Sequence, residues 1–490
     1  MIRLISHRRF RLFGLTVLTA LLTVGATAPS AVAQDSLQRF ERQLEQIRRD
    51  TVLQVNPAVP VDQRLLLDYG GYLSFGYLSL DDNRNDNHIL RQYELTGYVR
   101  ANLDGANEVF VRARAGYQDF NDQDSFDGRG DEIIDPDLDR AYYRFDLSKY
   151  NAAYHGKSAG DFNFVFQAGR DLVYWANGLT LSVPLDGAVA DVTWGKLTLE
   201  LIAGVTPTRT ADFDLTRPSF DHNTRRGFYG ALLSAQLGQH RPFVYALMQR
   251  DYNEDDKRFI DGRLVRFQYD SFYLGAGSSG ALTDQLAYGV EAVFEGGRTL
   301  SSNFAEDAGA TVSVPQTRND IRAWAADARL DYLLPGPRRA RLAVEGIFAS
   351  GDPDRLTTSG TVGGNRRGTD DHAFNSLGLL NTGLAFAPEV SNLLAGRVGA
   401  SFVPAPDVSA LSRLQVGTDF FVFAKLRSDA PINEPTGDDR YLGVEPDFFM
   451  NWQITNDLSL AVRYGVFFPG SAIADDKSRQ FFYAGITYAF

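Results

Sequence analysis

The feature that most limits the fold of this chain is an alternation of apolar and polar residues that runs from position 65 to the C-terminus. Arg140, Tyr142 and Arg144 fall on one face of an extended segment, while Tyr143 and Phe145 fall on the other. Side chains repeat about every 3.6 residues on a helix and every two residues on a strand. The alternation therefore predicts an all-β protein whose strands each have one apolar and one polar face.

The polar faces of these segments carry charges, which indicates where water lies. In residues 108–118, Arg112 and Arg114 oppose an apolar face that contains Val109 and Val111. A dry sandwich core does not tolerate such charges, but a water-filled lumen does. Aromatic residues near strand ends are typical of membrane-interface girdles, and here they include Tyr69, Trp194, Phe402 and Trp452. Together these features predict a transmembrane antiparallel up-and-down β-barrel.

Turn lengths and the last strand support this interpretation. Short turns such as Gly195-Lys196 and Asn456-Asp457 alternate with long polar segments at 119–137, 206–226, 297–318 and 351–390. Counting gives about eighteen strands, with residues 263–277 taken as one of them, and an even number returns both ends to the periplasm. The final strand ends at Phe490, a terminal aromatic of the kind that the bacterial barrel-assembly machinery reads.

The N-terminal segment predicts export from the cytoplasm. Residues 1–34 combine four arginines, an apolar core and the small-residue motif Ala31-Val32-Ala33, as a cleaved signal peptide does. A membrane anchor is the alternative. Removing four arginines and no acid changes the formal charge from −12 to −12 − 4 = −16. Residues 35–60 are predicted to form an amphipathic helix over 35–50 and a linker, and residues 61–490 the barrel.

Composition excludes several other classes. The mean hydropathy is −0.23, which argues against a bundle of membrane helices, since each needs about 20 apolar residues. There is no cysteine, so neither disulfides nor cysteine-based metal sites can form. The acidic balance gives no reason to expect a nucleic-acid partner. The 45 glycines, 34 phenylalanines and 22 tyrosines fit many short strands joined by tight turns.

Several segments resemble the alginate export family of outer-membrane porins, in an order and spacing that cover most of residues 65–490. They are Phe166–Arg170 followed by Trp175, Gly178 and Asp186-Gly187, then Tyr269–Gly275, Ala349–Asp352, Leu442–Asp447 and Tyr464–Gly470. The resemblance implies an 18-stranded barrel that passively exports an anionic polysaccharide through an arginine-lined pore. The predicted helix at 35–50 and the mixed charge of the polar faces depart from the family pattern.

The candidate pore-lining, anion-binding residues are arginines, because the planar guanidinium binds carboxylates and phosphates bidentately. Ten have the parity of the polar face: Arg100, Arg112, Arg114, Arg140, Arg144, Arg250, Arg329, Arg341, Arg397 and Arg463. Arg413 and Lys425 share that parity. The resemblance adds Arg170, although strict alternation would turn it outward unless a β-bulge at Gly169 corrects it.

Acidic residues of the same parity lie on the same faces as these cations. We expect ion pairs with arginine to explain more than half of the charged positions. These acidic residues are Glu94, Asp146, Asp191, Glu200, Glu291, Glu295, Asp327, Asp331, Glu345, Asp419, Glu445 and Asp447. No catalytic motif is evident. The acidic loop at 119–139 makes Asp122, Asp124 and Asp127 candidate Ca²⁺ ligands, although their spacing is not that of an EF-hand and a solvated loop is the alternative. No other metal or cofactor is expected.

The sequence thus predicts a passive outer-membrane pore for an anionic solute, an alginate-like polysaccharide or a small anion, and not an enzyme. Its expected surroundings are outer-membrane lipid and lipopolysaccharide. Three alternatives stay open: a general porin, a barrel enzyme of the outer-membrane lipase type, and a structural or adhesive barrel with a filled lumen. Whether the segment 351–390 folds inward or stands in solvent is also open.

Overall fold

A computed structural model describes residues 66–490, except 123, 126–129, 157–159, 208–224, 254–256, 261–262, 267, 308–309 and 362–363. Eighteen strands form one antiparallel sheet, in which each barrel strand hydrogen-bonds to its neighbours in the chain. They are β1 (Leu66–Asp81), β2 (Asn87–Asn102), β3 (Asn107–Phe120), β4 (Glu132–Asp146), β5 (Phe162–Tyr174), β6 (Ser182–Trp194), β7 (Leu197–Val205), β8 (Arg226–Ala235), β9 (His240–Asp251), β12 (Tyr269–Ala281), β13 (Leu286–Asp307), β14 (Ala310–Leu333), β15 (Arg341–Ala349), β17 (Leu393–Phe402), β18 (Leu414–Lys425), β19 (Tyr441–Gln453), β20 (Leu458–Pro469) and β21 (Arg479–Ala489).

The sheet closes on itself because β1 pairs with both β2 and β21. Closure removes every free sheet edge, the requirement for a strand that crosses a bilayer. The chain enters at Leu66 and leaves at Phe490 on the same end of the barrel, here called the terminal rim, and the other end is the loop rim. The predicted barrel, with its even strand number, is confirmed.

Smaller elements lie outside this wall. Two short strands, β10 (Lys257–Ile260) and β11 (Arg263–Arg266), form a separate hairpin at the loop rim. The two-residue β16 (Asn365–Arg366) pairs in parallel with β13 inside the loop that joins β15 to β17. A helix, α1 (Leu147–His155), lies at the terminal rim and begins where Asp146 accepts hydrogen bonds from the backbone N–H groups of Ser148 and Lys149. Within the described residues, no helix is long and apolar enough to cross a bilayer.

The two faces of the wall differ in the sense that a membrane barrel requires. Along β1, Leu67, Tyr69, Leu73 and Phe75 are exposed, while alternate residues point inward. Along β13 and β19 the inward series includes buried carboxylates such as Glu291 and Glu445. Large exposed apolar side chains outside and charges inside reverse the arrangement of a soluble barrel.

The lumen is partly filled by loops from the loop rim. Residues 350–392, between β15 and β17, contribute Phe374, Leu377 and Phe386 to a buried apolar cluster. The β5–β6 loop contributes Trp175, Leu179 and Leu181 to the same cluster. A parallel bridge joins Leu181 to Leu377, so the two loops meet. Part of the segment 351–390, which includes Phe374, Leu377 and Phe386, therefore folds inward, whereas Asn365 and Arg366 pair with the extension of β13.

Several predicted strand bounds differ from the observed ones, since β4 and β6, for example, begin earlier than expected, at Glu132 and Ser182, and two further differences change the architecture. Residues 263–266 belong to the β10–β11 hairpin and not to β12, which begins at Tyr269. Residues 297–318, expected to be a loop, continue β13 and β14 as a long two-stranded extension beyond the wall. The predicted signal peptide at 1–34 and the helix and linker at 35–60 lie outside the described residues.

Candidate functional site

The inward face of three neighbouring strands, β2, β3 and β4, carries a file of five arginines. Arg112 on β3 lies directly opposite Arg140 on β4, and Arg114 on β3 lies opposite Thr96 on β2. The register places the other two, Arg100 and Arg144, nearer the terminal rim. The alternation fixes this arrangement, because every second residue of each strand faces the lumen. We call this group the arginine file.

Three aromatic rings lie within the arginine file on the same inward face. The ring centroids of Tyr98 and Phe110 are 6.2 Å apart with planes inclined by 23°. Those of Phe110 and Tyr142 are 5.4 Å apart with planes inclined by 26°. The rings therefore form a continuous row across β2, β3 and β4. Sequence reasoning missed this aromatic row, although the parity that its members share with the arginines was a visible signal.

Most arginines of the file have an acidic partner. Arg100 lies 3.1 Å from Asp68 and Arg140 lies 3.3 Å from Asp171. Arg112 donates to both carboxylate oxygens of Asp139, with Nε 2.8 Å from Oδ1. The register of β3 with β4 shifts between Arg112 and Ala113. Asp139 is the extra residue of this β-bulge, so local backbone geometry positions that carboxylate.

Arg144 differs from these three arginines because it forms no ion pair with the described part of the chain. Its side chain is exposed to the lumen near the terminal rim. The carboxylate of Asp191 on β6 interacts electrostatically with the guanidinium groups of Arg144 and Arg241. With respect to the described residues, the Arg144 guanidinium therefore keeps its donors available, while Arg100, Arg112 and Arg140 are partly engaged.

The opposite wall of the lumen carries arginines matched by acids. Arg329 and Arg341 both bind Asp331, at 2.8 and 2.6 Å. Arg397 lies between Glu345 at 2.5 Å and Asp419 at 3.2 Å. The pair of Arg329 with Asp331 lies within β14, whereas Arg341 and Arg397 bind acids of neighbouring strands.

Three of the predicted pore-lining arginines do not present their guanidinium groups to the lumen. Arg250 lies on the outward series of β9 with Val244 and Met248, because the buried inward series is Phe243, Tyr245 and Leu247. Its prediction as an inward residue is wrong: the apolar residues of β9 face the loops that fill the lumen. Arg463 does face inward but is buried, and it donates to the backbone oxygens of Met450 and Val462.

The third, Arg170, does not have the expected bulge beside it. The register of β5 with β4 and β6 runs through Gly169 without a shift. By alternation Arg170 belongs to the outward series of β5. Its guanidinium binds Asp186 through two contacts, at 2.6 and 2.9 Å, and also donates to the backbone oxygen of Leu138.

Lys425 and Arg413, which also share the parity of the polar face, bind nearby loop and turn residues. The Lys425 ammonium is buried and donates to the backbone oxygens of Ser428 and Gly437. Arg413 donates to the Asn456 side chain in the neighbouring turn.

The loop that folds into the lumen is held by carboxylates of the wall. Both carboxylate oxygens of Glu445 accept backbone N–H groups, from Leu384 at 2.5 Å, Ala385 at 2.6 Å and Phe386 at 2.8 Å. Glu295 accepts the N–H of Asn375 at 2.8 Å, and Glu291 accepts that of Asn177 in the β5–β6 loop at 2.9 Å. The sequence placed these three acids among those that could pair with arginines, and the structure shows them bound to loop backbone. We call Glu291, Glu295 and Glu445 the wall carboxylates.

The predicted Ca²⁺ ligands are only partly described. Asp127 lies outside the described residues. Asp124 accepts the N–H of Ile89 at 2.7 Å, and its other carboxylate oxygen is 3.6 Å from His88. No group of three metal-binding side chains occurs within the described ranges.

A closed barrel with an apolar exterior, a charged lumen and an inward loop defines an outer-membrane porin. The sequence matches the alginate export family over residues 77–486, and the chain belongs to that family. It is a protein of the bacterial outer membrane, so the terminal rim faces the periplasm. No curated protein matches the sequence.

Solved structures of Pseudomonas aeruginosa outer-membrane proteins share the fold. OccK11 (OpdR) aligns with a TM-score of 0.50 and 12% identity, over 86% of this chain and 96% of that chain. OpdO aligns with a TM-score of 0.50 and 13% identity, over 86% and 97%. The outer membrane protein opdK aligns with a TM-score of 0.50 and 8% identity, over 86% and 99%. At these identities the similarity concerns the fold alone.

Proposed function

We propose that this porin lets an anionic polysaccharide of the alginate type, a chain of sugar carboxylates, diffuse across the outer membrane along the arginine file. The observation that carries the proposal is the aromatic row of Tyr98, Phe110 and Tyr142 set among inward arginines. Flat ring faces provide apolar contact area for the C–H faces of sugars. Guanidinium forks supply paired N–H donors for their carboxylates.

The electrostatics of the lumen favour entry of anions on this side. A low-dielectric wall concentrates the field of charges that line a narrow aqueous passage. Arg144 adds a positive charge that forms no ion pair with a described residue, and Arg112 and Arg140 lie opposite one another on neighbouring strands. A permeating anion would pass from one guanidinium to the next, so that each site both binds and releases it.

Planar bilayer recordings with the purified protein test this proposal. Under a KCl gradient the reversal potential should show anion preference, and replacing Arg112, Arg114, Arg140 and Arg144 together with Ala should abolish it. Arg250→Gln is the matched control, since Arg250 lies on the outward face, and it should leave the preference unchanged. Cation preference in the unmodified protein would overturn the proposal.

The aromatic row requires a separate test with polymer. Alginate oligomers added to one side should block the current transiently in the unmodified protein. Replacing Tyr98, Phe110 and Tyr142 together with Leu should shorten the block while keeping the anion preference, because the charges remain. Blocks of equal duration in both proteins would remove the sugar-binding role of these rings.

A general porin for small solutes is the second candidate, favoured by the loop that fills part of the lumen. Glu295 and Glu445 hold residues 375–386 inside the barrel, which narrows the passage. Permeation of small anions without any block by alginate oligomers would support this candidate over the first.

A further inference from the structure

On one arc of the barrel, the outward surface near the loop rim carries a row of exposed charges. Across β12, β13 and β14, the register aligns Asp270 with Arg298 and Arg298 with Asp320. Arg250 on β9 lies 3.8 Å from Asp270 and extends the row. One step nearer the membrane centre, Arg322 lies on the row of Met248, Phe272 and Gly296.

This surface borders the lipid-facing apolar band directly. Below Arg322 on β14 comes Trp324, which is aligned with Phe294 on β13, and both are exposed. A Cβ atom on Gly296 would lie 2.5 Å from the Phe272 ring, so this ring covers Gly296 beside Arg322. Cations thus adjoin a patch of exposed aromatic rings at the level where lipid head groups meet acyl chains.

The guanidinium groups here retain binding capacity. The Arg298 side chain is 73% exposed and touches Asp320 at 3.4 Å, and the Arg322 side chain is 61% exposed and touches Asp370 at 3.1 Å. Such exposed single contacts contribute little stability, and each guanidinium has five N–H donors. Arg170, in contrast, is held by Asp186 through two contacts and is 22% exposed.

Outward charges elsewhere near the loop rim are less accessible: Arg91 on β2 is 33% exposed and is held by Asp119 at 3.5 Å and by Asn121 at 2.8 Å. On the arc from β15 to β21, outward residues towards the loop rim are apolar and exposed: Phe348, Leu394, Val422, Phe468 and Phe482. An outward charge row costs desolvation against hydrocarbon unless polar head groups meet it. The two highly exposed arginines, Arg298 on β13 and Arg322 on β14, therefore point to a specific lipid contact and not to a general feature of the rim.

We propose that Arg298 and Arg322 bind the phosphate groups of a phosphorylated glycolipid of the outer leaflet, whose acyl chains lie over Phe272, Phe294 and Trp324. The outer face of the barrel meets that leaflet at the loop rim, and phosphate is the anion that a guanidinium fork binds bidentately. The site is independent of the pore, because these side chains belong to the outward series.

Native mass spectrometry of the purified full-length protein in neutral detergent tests the proposal, with bis-phosphorylated lipid A as the probe. The unmodified protein should retain lipid A, and the double variant Arg298→Gln, Arg322→Gln should bind at least tenfold less. Arg170→Gln is the matched control and should bind as the unmodified protein does. Equal heat-modifiable mobility in gels shows that all three proteins are folded.

Two further probes separate the chemistry of the ligand. Dephosphorylated lipid A should bind weakly to the unmodified protein and equally weakly to the double variant. Phosphatidylglycerol should compete poorly, since it offers one phosphodiester in place of the two phosphomonoesters of lipid A. Equal binding of lipid A by the unmodified protein and the double variant, equal binding of the dephosphorylated form, or equal competition by phosphatidylglycerol would each overturn the proposal.

Discussion

Arg112 and Arg144 lie on neighbouring strands of the same lumen wall, yet their charges differ in effect. Arg112 is neutralised by Asp139 through contacts to both carboxylate oxygens, whereas Arg144 forms no ion pair with the described residues. A compensated pair produces a weaker field in the lumen than a single charge does. The arginines of the file therefore contribute unequally to selection of anions.

We expect Arg144→Gln to lower the anion-to-cation permeability ratio about twofold to fivefold, since a unit charge 4–10 Å away is worth about 0.4–1 kcal/mol in water. The double variant Arg112→Gln, Asp139→Asn should stay near the unmodified ratio, because it removes one charge of each sign. Reversal potentials measure both. An Arg144→Gln protein with unchanged selectivity would show that this residue lies outside the ion path.

Asp82, in the turn between β1 and β2, shows how a single carboxylate organises the loop rim. It accepts the backbone N–H groups of Arg84 at 2.8 Å and Asp86 at 2.9 Å, and lies 3.5 Å from His88. Burial raises the pKa of Asp82, but hydrogen bonds from His88, Asp86 and Arg84 outweigh it and hold the pKa below its usual value of 3.8.

Because the folded pKa of Asp82 lies below the unfolded value, its stabilisation is fully present above the unfolded value and is lost as pH falls through the folded one. Asp82→Asn should therefore lower the thermal unfolding midpoint at pH 7, with a loss of about 0.5–1.5 kcal/mol per weakened hydrogen bond. At pH 2 the difference from the unmodified protein should shrink. A pH-independent difference between the two proteins would contradict this account.

At the scale of elements, strands were predictable and loops were not. Alternation located β1 to β9, β14, β15 and β17 to β21 because each strand must keep one apolar face. The same rule could not separate β11 from β12, since a polar hairpin and a wall strand alternate alike. Nor could it show that β13 and β14 extend past the membrane, where no lipid enforces an apolar face.

The inward loop was unpredictable for a different reason. Its position depends on contacts between residues far apart in the chain, such as Glu445 with residues 384–386. A sequence shows the parity of Glu445 but not whether an arginine or a loop backbone meets the carboxylate. Arg250 shows a related limit. Its charge alone placed it in the lumen, but it alternates with Tyr245 and Leu247, which the structure shows to be buried, and so it lies on the outward face.

Glu445 offers a test of what holds the loop in place. Replacing it with Gln introduces an NH₂ donor opposite three N–H donors and removes the charge, which costs roughly 1.5–3 kcal/mol for each charged hydrogen bond lost. Glu445→Gln should therefore give a larger and noisier single-channel conductance as the loop leaves its position. Asp457→Asn, which removes the same charge from an exposed turn, should leave the conductance unchanged. Steady currents in Glu445→Gln would mean that other contacts suffice.

For the whole molecule, stability depends on the seam where the last strand meets the first. Gly71 and Phe490 exchange backbone hydrogen bonds, each 2.9 Å long, beyond the ladder that joins β1 to β21. Without this closure both strands would have unpaired backbone groups facing lipid, at a cost of several kcal/mol each. The seam is therefore where small steric changes affect the entire barrel.

Gly71 and Gly97 lie directly opposite each other on β1 and β2 and provide a matched pair of substitutions. A Cβ on Gly71 would lie 2.6 Å from the backbone oxygen of Thr96 and 2.9 Å from the Phe490 ring, whereas a Cβ on Gly97 meets nothing within 4 Å. Gly71→Ala should therefore destabilise the folded barrel by about 1–3 kcal/mol through overpacking at the seam. Gly97→Ala should be neutral or stabilising by up to about 1 kcal/mol, because alanine loses less conformational freedom on folding. The temperature at which heat-modifiable gel mobility is lost measures both, and an equal change in the two variants would show that closure at Phe490 imposes no special constraint.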